Sequence, residues 1–225
     1  MTTFRSDVIC ILFCIIACSF LGGAVYNIRK DINSLQEHHI VDDANMYSYA
    51  YDCVMEAELS YWEAKANLTR EVQNYINTIA PNSNLRGYAI VDECEKYKVD
   101  ICFVLAQGEI ESHFATKGLG GKFNNVFNVA VHDKVKGKAD MDKNYIYQYP
   151  NESIEPYLQL LTNRYLVNKM EYDLFDNYVD VNGSRYASDP DYESKLKSKY
   201  NYIIENTKIQ EYLDVMHSYA IKCGR

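Results

Sequence analysis

The chain has 225 residues, with 23 lysines and arginines against 31 aspartates and glutamates, so its net charge is −8 at neutral pH. This length suits one good-sized domain with additional segments. The acidic balance argues against a nucleic-acid partner, because phosphate backbones require basic patches. It is compatible with a polysaccharide, which proteins recognise by hydrogen bonds and ring stacking, and the 21 tyrosines can supply both.

The first predicted element is a membrane-spanning helix over residues 8–26, a run of nineteen residues without a charge. Such a helix would extend about 28 Å, close to the thickness of a bilayer's hydrocarbon core. Arg5 precedes the run, and Arg29 and Lys30 follow it, so the flanking charges do not fix its orientation.

We interpret residues 1–30 as a membrane anchor, with the rest of the chain outside the cytoplasm. Two alternatives remain open. One is a cleaved signal peptide with its cleavage site near residues 21–24, and the other is a lipoprotein modified at Cys18.

A long helix is predicted next, because no glycine or proline occurs in residues 24–80 and these two residues usually mark turns. Apolar residues recur at steps of four and three from Ala50 to Ile79. We therefore predict a helical spacer over residues 31–80, either continuous or broken, that ends before Pro81. It could form a coiled-coil stalk, which would allow self-association, or fold back on the following domain.

The cysteines outside the apolar segment are Cys53, Cys94, Cys102 and Cys223. Their spacing does not match a zinc site, so we predict neither a metal site nor a cofactor. In an oxidising compartment they could form disulfides, and buried free thiols are the alternative.

Two helices are predicted between Leu85 and His113, separated by a short turn after Tyr97. Residues 101–106 in the second helix are apolar on all sides, which predicts burial. Glu109 and Glu111 lie near the end of this helix.

The i, i+4, i+7 spacing places Glu111 on the face of Val104 and Gly108, at the rim of an apolar wall. Loss of water at such a rim raises the pKa of a carboxyl group. Glycoside hydrolysis requires a carboxyl group that remains protonated near neutral pH. Spacing does not choose between Glu109 and Glu111, and both could instead cap a solvated helix end.

Three segments resemble motifs of the bacterial and phage glucosaminidase family, which belongs to the lysozyme superfamily. Residues 105–114, LAQGEIESHF, resemble its A-Q-x-x-x-E-S-x-[WF] motif. Residues 124–128, NNVFN, resemble N-N-L-F-G, and residues 185–192, RYASDPDY, resemble G-Y-A-T-D-P-x-Y. The segments follow the family's order but leave the first 80 residues unmatched. Asn128 stands where the family has glycine, and Ala115 stands where glycine is common.

The resemblance implies roles for individual residues. The glutamate before the serine is the family's general acid, which maps to Glu111, and the first tyrosine of the third motif maps to Tyr186 at the reacting sugar. The residues expected to bind the substrate are Gln107, Ser112, Phe114, Asn125 and Phe127.

The second carboxylate is expected on the β-lobe, where the family carries it when it is present. Asp133, Asp140 and Asp142 are available there, and we choose Asp140 by its distance along the chain. The alternative is that no residue is dedicated to this step, and the acetamido group of the substrate or a water molecule completes the reaction.

The predicted fold is mainly α: a lysozyme-like helical domain over residues 81–225 with a small β-lobe. The lobe would contain β-favouring pieces at residues 126–131 and 145–149. Three further helices are expected to begin near Asn151, Pro190 and Ile209, and their apolar stripes, which include Tyr192, are assigned to the core.

The resemblance implies hydrolysis of N-acetylglucosaminyl β-1,4 bonds in peptidoglycan, in phage or bacterial cell-wall degradation. Two other functions remain open. One is an inactive envelope or virion module that binds the wall, and the other is a lytic transglycosylase, which also uses a single glutamate.

Overall fold

The computed structural model describes residues 41–130, 138–139 and 145–223. It divides into two compact units, Met1–Glu58 and Leu59–Arg225. The predicted anchor at residues 8–26 lies outside the described residues. Within the described residues, no helix combines the length and apolar character needed to cross a membrane.

Helix α1 extends from Val41 to Ile79 without a break, as the absence of glycine and proline predicts. In the second unit its apolar side is buried, with Leu68, Val72 and Ile76 fully inaccessible to solvent. The second unit thus begins at Leu59, inside the predicted spacer, because the apolar side of α1 forms part of the domain core. For these residues the helix packs on the domain instead of forming a stalk.

The other α-helices of the described second unit are α2 (Gly87–Tyr97), α3 (Ile101–Ser112), α4 (Gly118–Phe123), α5 (Ile154–Leu160), α6 (Tyr192–Asn206) and α7 (Ile209–Cys223). A 3₁₀ turn at Pro150–Ser153 precedes α5, and a π-helical turn at Leu161–Tyr165 follows it. A second 3₁₀ turn covers Glu171–Phe175. The prediction of a mainly helical fold is confirmed, and α6 begins two residues after Pro190.

Helix α3 occupies the centre of the domain, in contact with α2 and α6. Its start is capped by Asp100, whose side chain accepts a hydrogen bond from the backbone N–H of Phe103 at 3.1 Å. Residues 101–108 are all buried, as the uniformly apolar character of residues 101–106 predicts for that part of the helix. The end of α3 therefore projects from a rigid core, and it carries both candidate glutamates.

The described β-structure includes a short antiparallel pair, β1 (Lys138–Ala139) and β2 (Tyr145–Ile146). The prediction of a β piece at residues 126–131 is wrong for residues 126–129, which form a turn and irregular backbone. The Asn125 side chain explains this turn. It accepts a hydrogen bond from the Val129 N–H at 3.2 Å and donates one to the Val129 carbonyl oxygen at 2.9 Å.

Two of the cysteines can be placed in the core. Cys94 on α2 and Cys102 on α3 are both buried and free. Burial raises the pKa of the Cys94 thiol well above its ordinary value, so the thiol is uncharged at neutral pH. The sequence left two alternatives for the cysteines, disulfides or buried free thiols, and Cys94 and Cys102 are buried free thiols.

Candidate active site

A cleft of about 550 Å³ opens beside the end of α3. This volume lies within the usual range for ligand-binding pockets. Its lining comes from α3, the turn at residues 126–130, the π-helical turn, the segment before α6 and the start of α6. The lining residues are Ile110, Glu111, Phe127, Asn128, Val129, Ala130, Arg164, Tyr165, Ser184, Arg185, Tyr186, Ala187, Ser188, Asp189 and Tyr192.

Glu111 contributes its carboxyl group to this cleft from the last turn of α3. The Tyr192 hydroxyl donates a hydrogen bond to Oε1 at 2.6 Å, and the Asn128 side-chain amide lies 3.2 Å from Oε2. Burial raises the pKa of this carboxyl group, and the two hydrogen bonds oppose that rise because they favour the ionised form. The net direction is upward, so Glu111 retains its proton to higher pH than an ordinary glutamate.

Glu109, two residues earlier, lies in a different environment outside the cleft lining. Its Oε1 forms an ion pair with Lys199 of α6 at 2.7 Å, and its Oε2 accepts a hydrogen bond from the Tyr75 hydroxyl at 2.5 Å. These contacts tie α1, α3 and α6 together. Helix spacing left both Glu109 and Glu111 as candidates for the general acid. Of the two, Glu111 lines the cleft, so we take Glu111 as the candidate acid.

Tyr186 lies in the cleft on the side formed by the segment before α6. Its hydroxyl donates to the carbonyl oxygen of Phe127 at 3.1 Å, and its ring stacks on that of Tyr178, with centroids 4.6 Å apart and planes inclined by 17°. The ring centroids of Tyr165 and Tyr192 lie 5.5 and 5.7 Å from that of Tyr186. Tyr186 thus connects the motif at residues 185–192 with the turn at residues 126–129.

Gln107 lies beneath the cleft and supports its aromatic wall. Its Oε1 accepts hydrogen bonds from the hydroxyls of Tyr157 at 2.6 Å and Tyr178 at 2.9 Å. Tyr157 in turn stacks on Phe127, with centroids 3.8 Å apart, and Tyr178 stacks on Tyr186. The buried amide therefore fixes two rings, and each of these supports an aromatic residue of the cleft.

Ser112, Phe114 and Asn125 are also buried, and none of them lines the cleft. Ser112 donates a hydrogen bond to the Val126 carbonyl oxygen at 2.7 Å, and the Asn125 side chain binds the backbone of its own turn. Of the five residues expected to bind substrate, only Phe127 belongs to the lining; the other four contact protein. The polar groups of Ser112 and Asn125 shape the turn that carries Phe127 and Asn128.

Gly108 permits this turn to approach α3 closely. A Cβ atom at this position would lie 3.0 Å from Cγ1 of Val126 and 3.3 Å from Cε1 of Phe127. A larger residue would therefore push the turn away from the helix. The glycine on the Glu111 face of α3 thus brings Asn128 within reach of Glu111.

Two contacts of Glu111 were missed by the sequence reasoning. Tyr192 was assigned to the core, and its ring is indeed buried, but its hydroxyl reaches the carboxyl group of Glu111. Asn128 was noted only as a departure from glycine. Two features of the sequence could have pointed to these contacts. They are the second tyrosine of the motif at residues 185–192 and the unusual asparagine at the end of the motif at residues 124–128.

Asp140, the candidate second carboxylate, lies outside the described residues, as do Asp133 and Asp142. In the described part of the chain, the carboxylates that line the cleft are Glu111 and Asp189. Asp189 forms an ion pair with Lys195 at 2.6 Å, which lowers the pKa of Asp189. In the same part of the chain, no group of three or more histidine, cysteine or acidic side chains is placed to hold a metal ion.

The sequence profile of the glucosaminidase family, described as mannosyl-glycoprotein endo-beta-N-acetylglucosaminidase, matches residues 87–205. This range holds 205 − 87 + 1 = 119 of the 225 residues, more than half of the chain. The chain belongs to the glucosaminidase family. The glucosaminidase domain extends from the first residue of α2 into the last turn of α6 and includes every residue that lines the cleft. It is the domain of a glycoside hydrolase, and a comparison with curated proteins gave no significant match.

Proposed function

We propose that the chain hydrolyses N-acetylglucosaminyl β-1,4 bonds of peptidoglycan, with Glu111 as the general acid. The observation that carries this proposal is the carboxyl group of Glu111, which is buried at the cleft, hydrogen-bonded to Tyr192 and Asn128, and raised in pKa. We further propose that the domain is lysozyme-like, with its helices on one side of the cleft and the β1–β2 lobe on the other.

In the first step, Glu111 donates its proton to the glycosidic oxygen while the bond from C1 of the N-acetylglucosamine residue to that oxygen breaks. The leaving sugar departs as an alcohol, and positive charge develops on the sugar that remains. The ionised Glu111 is then stabilised by the Tyr192 hydroxyl and the Asn128 amide. Tyr186 lies in the same cleft and is proposed to orient the reacting sugar.

The second step requires a water molecule to attack C1 and lose a proton. We assign the removal of this proton, or the stabilisation of the positive charge, to Asp140, with participation of the substrate's acetamido group as the alternative. Replacing Asp140 with alanine separates the two routes. Complete loss of turnover indicates a dedicated carboxylate, and partial loss indicates the substrate-assisted route.

Peptidoglycan differs from a neutral glycan by the carboxylates of the stem peptides attached to its muramic acid. Arg164 and Arg185 line the cleft, and planar guanidinium groups suit carboxylate ligands. Asp180 and Glu193 hold these two arginines in place through ion pairs. This arrangement supports an anionic glycan as the substrate.

The decisive experiment incubates the full chain with purified sacculi, reduces the products and identifies them by mass spectrometry. New reducing ends on N-acetylglucosamine are expected, and Glu111→Gln should lower the rate by about 10²–10⁴-fold. Glu109→Gln is the matched control. It should remain active and lose only about 1 kcal/mol of stability, because it removes an ion pair outside the cleft.

Several outcomes would contradict the proposal. Full activity of Glu111→Gln would remove its central residue, and products without a free reducing end would indicate a lytic transglycosylase. Binding to sacculi without cleavage by the unmodified chain would indicate a wall-binding module. Equal cleavage of a neutral chitin oligosaccharide would contradict recognition of the carboxylates.

We also propose that residues 8–26 tether the chain to a membrane, with the glucosaminidase domain outside the cytoplasm and acting on a bacterial wall in a phage or bacterial context. The uncharged length of this segment supports the proposal. Retention of the full chain in membranes after washing with alkaline carbonate is expected. Recovery of an N-terminally shortened soluble chain would indicate a cleaved signal peptide instead.

A further inference from the structure

Asn128 contacts Glu111 at two points. Its side-chain Nδ2 donates to the main-chain carbonyl oxygen of Glu111 at 2.5 Å and to Oε2 of the carboxyl group at 3.2 Å. One amide group therefore binds both the backbone and the side chain of the candidate acid. The contact joins the end of α3 to a turn that is 17 residues away in sequence.

The backbone at Asn128 explains which residues this position accepts. Its φ is +50°, in the left-handed region that glycine adopts freely and asparagine tolerates better than most other residues. Glycine at this position would preserve the turn but would have no side chain to reach Glu111. Asparagine satisfies the same backbone requirement and adds a hydrogen-bond donor.

The turn that carries Asn128 is held from several sides, so the position of the amide is well defined. The Asn128 N–H donates to the Asn125 carbonyl oxygen at 3.2 Å, and the Asn125 side chain binds Val129. Phe127, between them, is stacked on Tyr157 and accepts a hydrogen bond from Tyr186. A fixed donor of this kind can hold the carboxyl group of Glu111 in one orientation.

Titratable or charged side chains surround Glu111 from the π-helical turn, the segment before α6 and the start of α6. The Tyr192 hydroxyl, from α6, donates to the second carboxylate oxygen. The remaining titratable or charged groups of the cleft, together with the buried Tyr178 behind it, are Arg164, Tyr165, Tyr178, Arg185, Tyr186 and Asp189.

We propose that Asn128 is a positioning residue that acts through Glu111: its amide holds the carboxyl group against the Tyr192 hydroxyl and favours the ionised form. This inference rests on the proposed function, because it assigns Glu111 the role of the acid. Burial raises the pKa of Glu111, and the Asn128 donor reduces this rise. Asn128 therefore limits how far into the alkaline range the acid remains protonated.

The test measures kcat/KM of the full chain on sacculi against pH for wild type and Asn128→Gly. Without the donor, Glu111 should lose its proton at higher pH, so the alkaline limb of the profile should shift to higher pH. On the acid side of the profile, kcat/KM of the variant should fall by much less than the roughly 10²-fold that loss of a general acid costs. Asn168→Gly is the matched control, since Asn168 also has a left-handed backbone (φ +57°) but is exposed and outside the cleft lining.

A second readout does not depend on activity. The ¹³C shift of the Glu111 carboxyl carbon, assigned by its absence in Glu111→Gln, gives the titration midpoint of this group directly. The midpoint should rise in Asn128→Gly and remain unchanged in Asn168→Gly. Asn128→Asp, which keeps the shape but replaces the donor with a negative charge, should raise it further.

The outcomes separate the two proposals. An unchanged midpoint and an unchanged alkaline limb in Asn128→Gly, with active wild type, overturn the role of Asn128 alone. A lower melting temperature as the sole effect of the substitution also overturns it, because it reduces Asn128 to a structural residue. A raised midpoint with wild type that cleaves no sacculi would overturn the catalytic role of both residues, although the coupling between them would stand.

Discussion

Glu109 and Glu111 show how two neighbouring carboxylates of one helix acquire different properties. Two residues correspond to about 200° around an α-helix, so the two side chains leave α3 on nearly opposite sides. Among the described residues, Glu109 forms an ion pair with the ammonium group of Lys199, whereas Glu111 accepts hydrogen bonds from two uncharged groups, the Tyr192 hydroxyl and the Asn128 amide. Burial raises the pKa of Glu111, and it outweighs these two hydrogen bonds, which favour the ionised form.

Tyr186→Phe should lower turnover by about tenfold while it lowers the free energy of unfolding by only about 1 kcal/mol. The hydroxyl loses one hydrogen bond to Phe127, but the ring keeps its stack on Tyr178. Rates on sacculi and thermal melts measure the two effects. Tyr88→Phe is the control, because Tyr88 is an exposed tyrosine of α2, and it should change neither quantity. A large loss of stability at full turnover would make Tyr186 a packing residue only.

At this scale, the local motifs point to three residues that line the cleft, Glu111, Phe127 and Tyr186, and their roles in catalysis stay predictions. The sequence did not predict the two donors to Glu111. Tyr192 is 81 residues from Glu111 in sequence, and a periodic pattern shows only that its ring is buried, not where its hydroxyl points. Similarly, motif membership could not separate Gln107 and Ser112, which support the cleft, from residues that line it.

The residues that directly follow α3 have an uncommon backbone geometry. His113, Phe114 and Ala115 have φ values of +53°, +55° and +58°, so three successive non-glycine residues are left-handed. The first two N–H groups close the helix by donating to the carbonyl oxygens of Glu109 and Gly108. Each residue of this kind costs roughly 1–2 kcal/mol in the left-handed region.

Ala115→Gly should therefore raise the free energy of unfolding, by about 0.5–1 kcal/mol, because the relief of strain exceeds the added chain entropy. Ala89→Gly supplies the matched control inside α2, where the same exchange should cost about 0.5–1 kcal/mol. Denaturant unfolding monitored by circular dichroism compares the two. Equal destabilisation by both substitutions would show that the left-handed turn at Ala115 carries no strain.

For whole elements, the sequence was informative where apolar periodicity is strong, as in α1 and α6, and where an apolar run is continuous, as in α3. It was misleading at residues 126–131, where valines favour a strand. There the side chain of Asn125 binds the backbone and the left-handed Asn128 turns the chain, and these local contacts prevail over β-propensity.

At the scale of the molecule, the domain requires the second half of α1. Leu68, Val72 and Ile76 are fully buried in the same core as α3. The loss of one large buried aliphatic side chain typically costs about 2–5 kcal/mol, so losing these three would cost roughly 6–15 kcal/mol, as much as the roughly 5–15 kcal/mol that stabilises an average domain. A chain that begins at residue 81 should therefore not fold.

A chain that begins at residue 59 keeps the whole compact unit and should unfold in one cooperative transition. Circular dichroism melts of the two shortened chains measure the difference. A sharp transition in the shorter chain would show that α1 is dispensable for folding, as a separate spacer would be.

The positions of the aromatic residues also provide two separate optical probes. The single tryptophan, Trp62, is 55% exposed on α1 and touches Tyr61, whose ring lies 5.1 Å from Tyr219 of α7. Its fluorescence therefore follows the junction of the first and last described helices. The near-ultraviolet dichroism of the stacked tyrosines reports on the cleft. Coincidence of the two signals during unfolding would show that the cleft and this junction melt together.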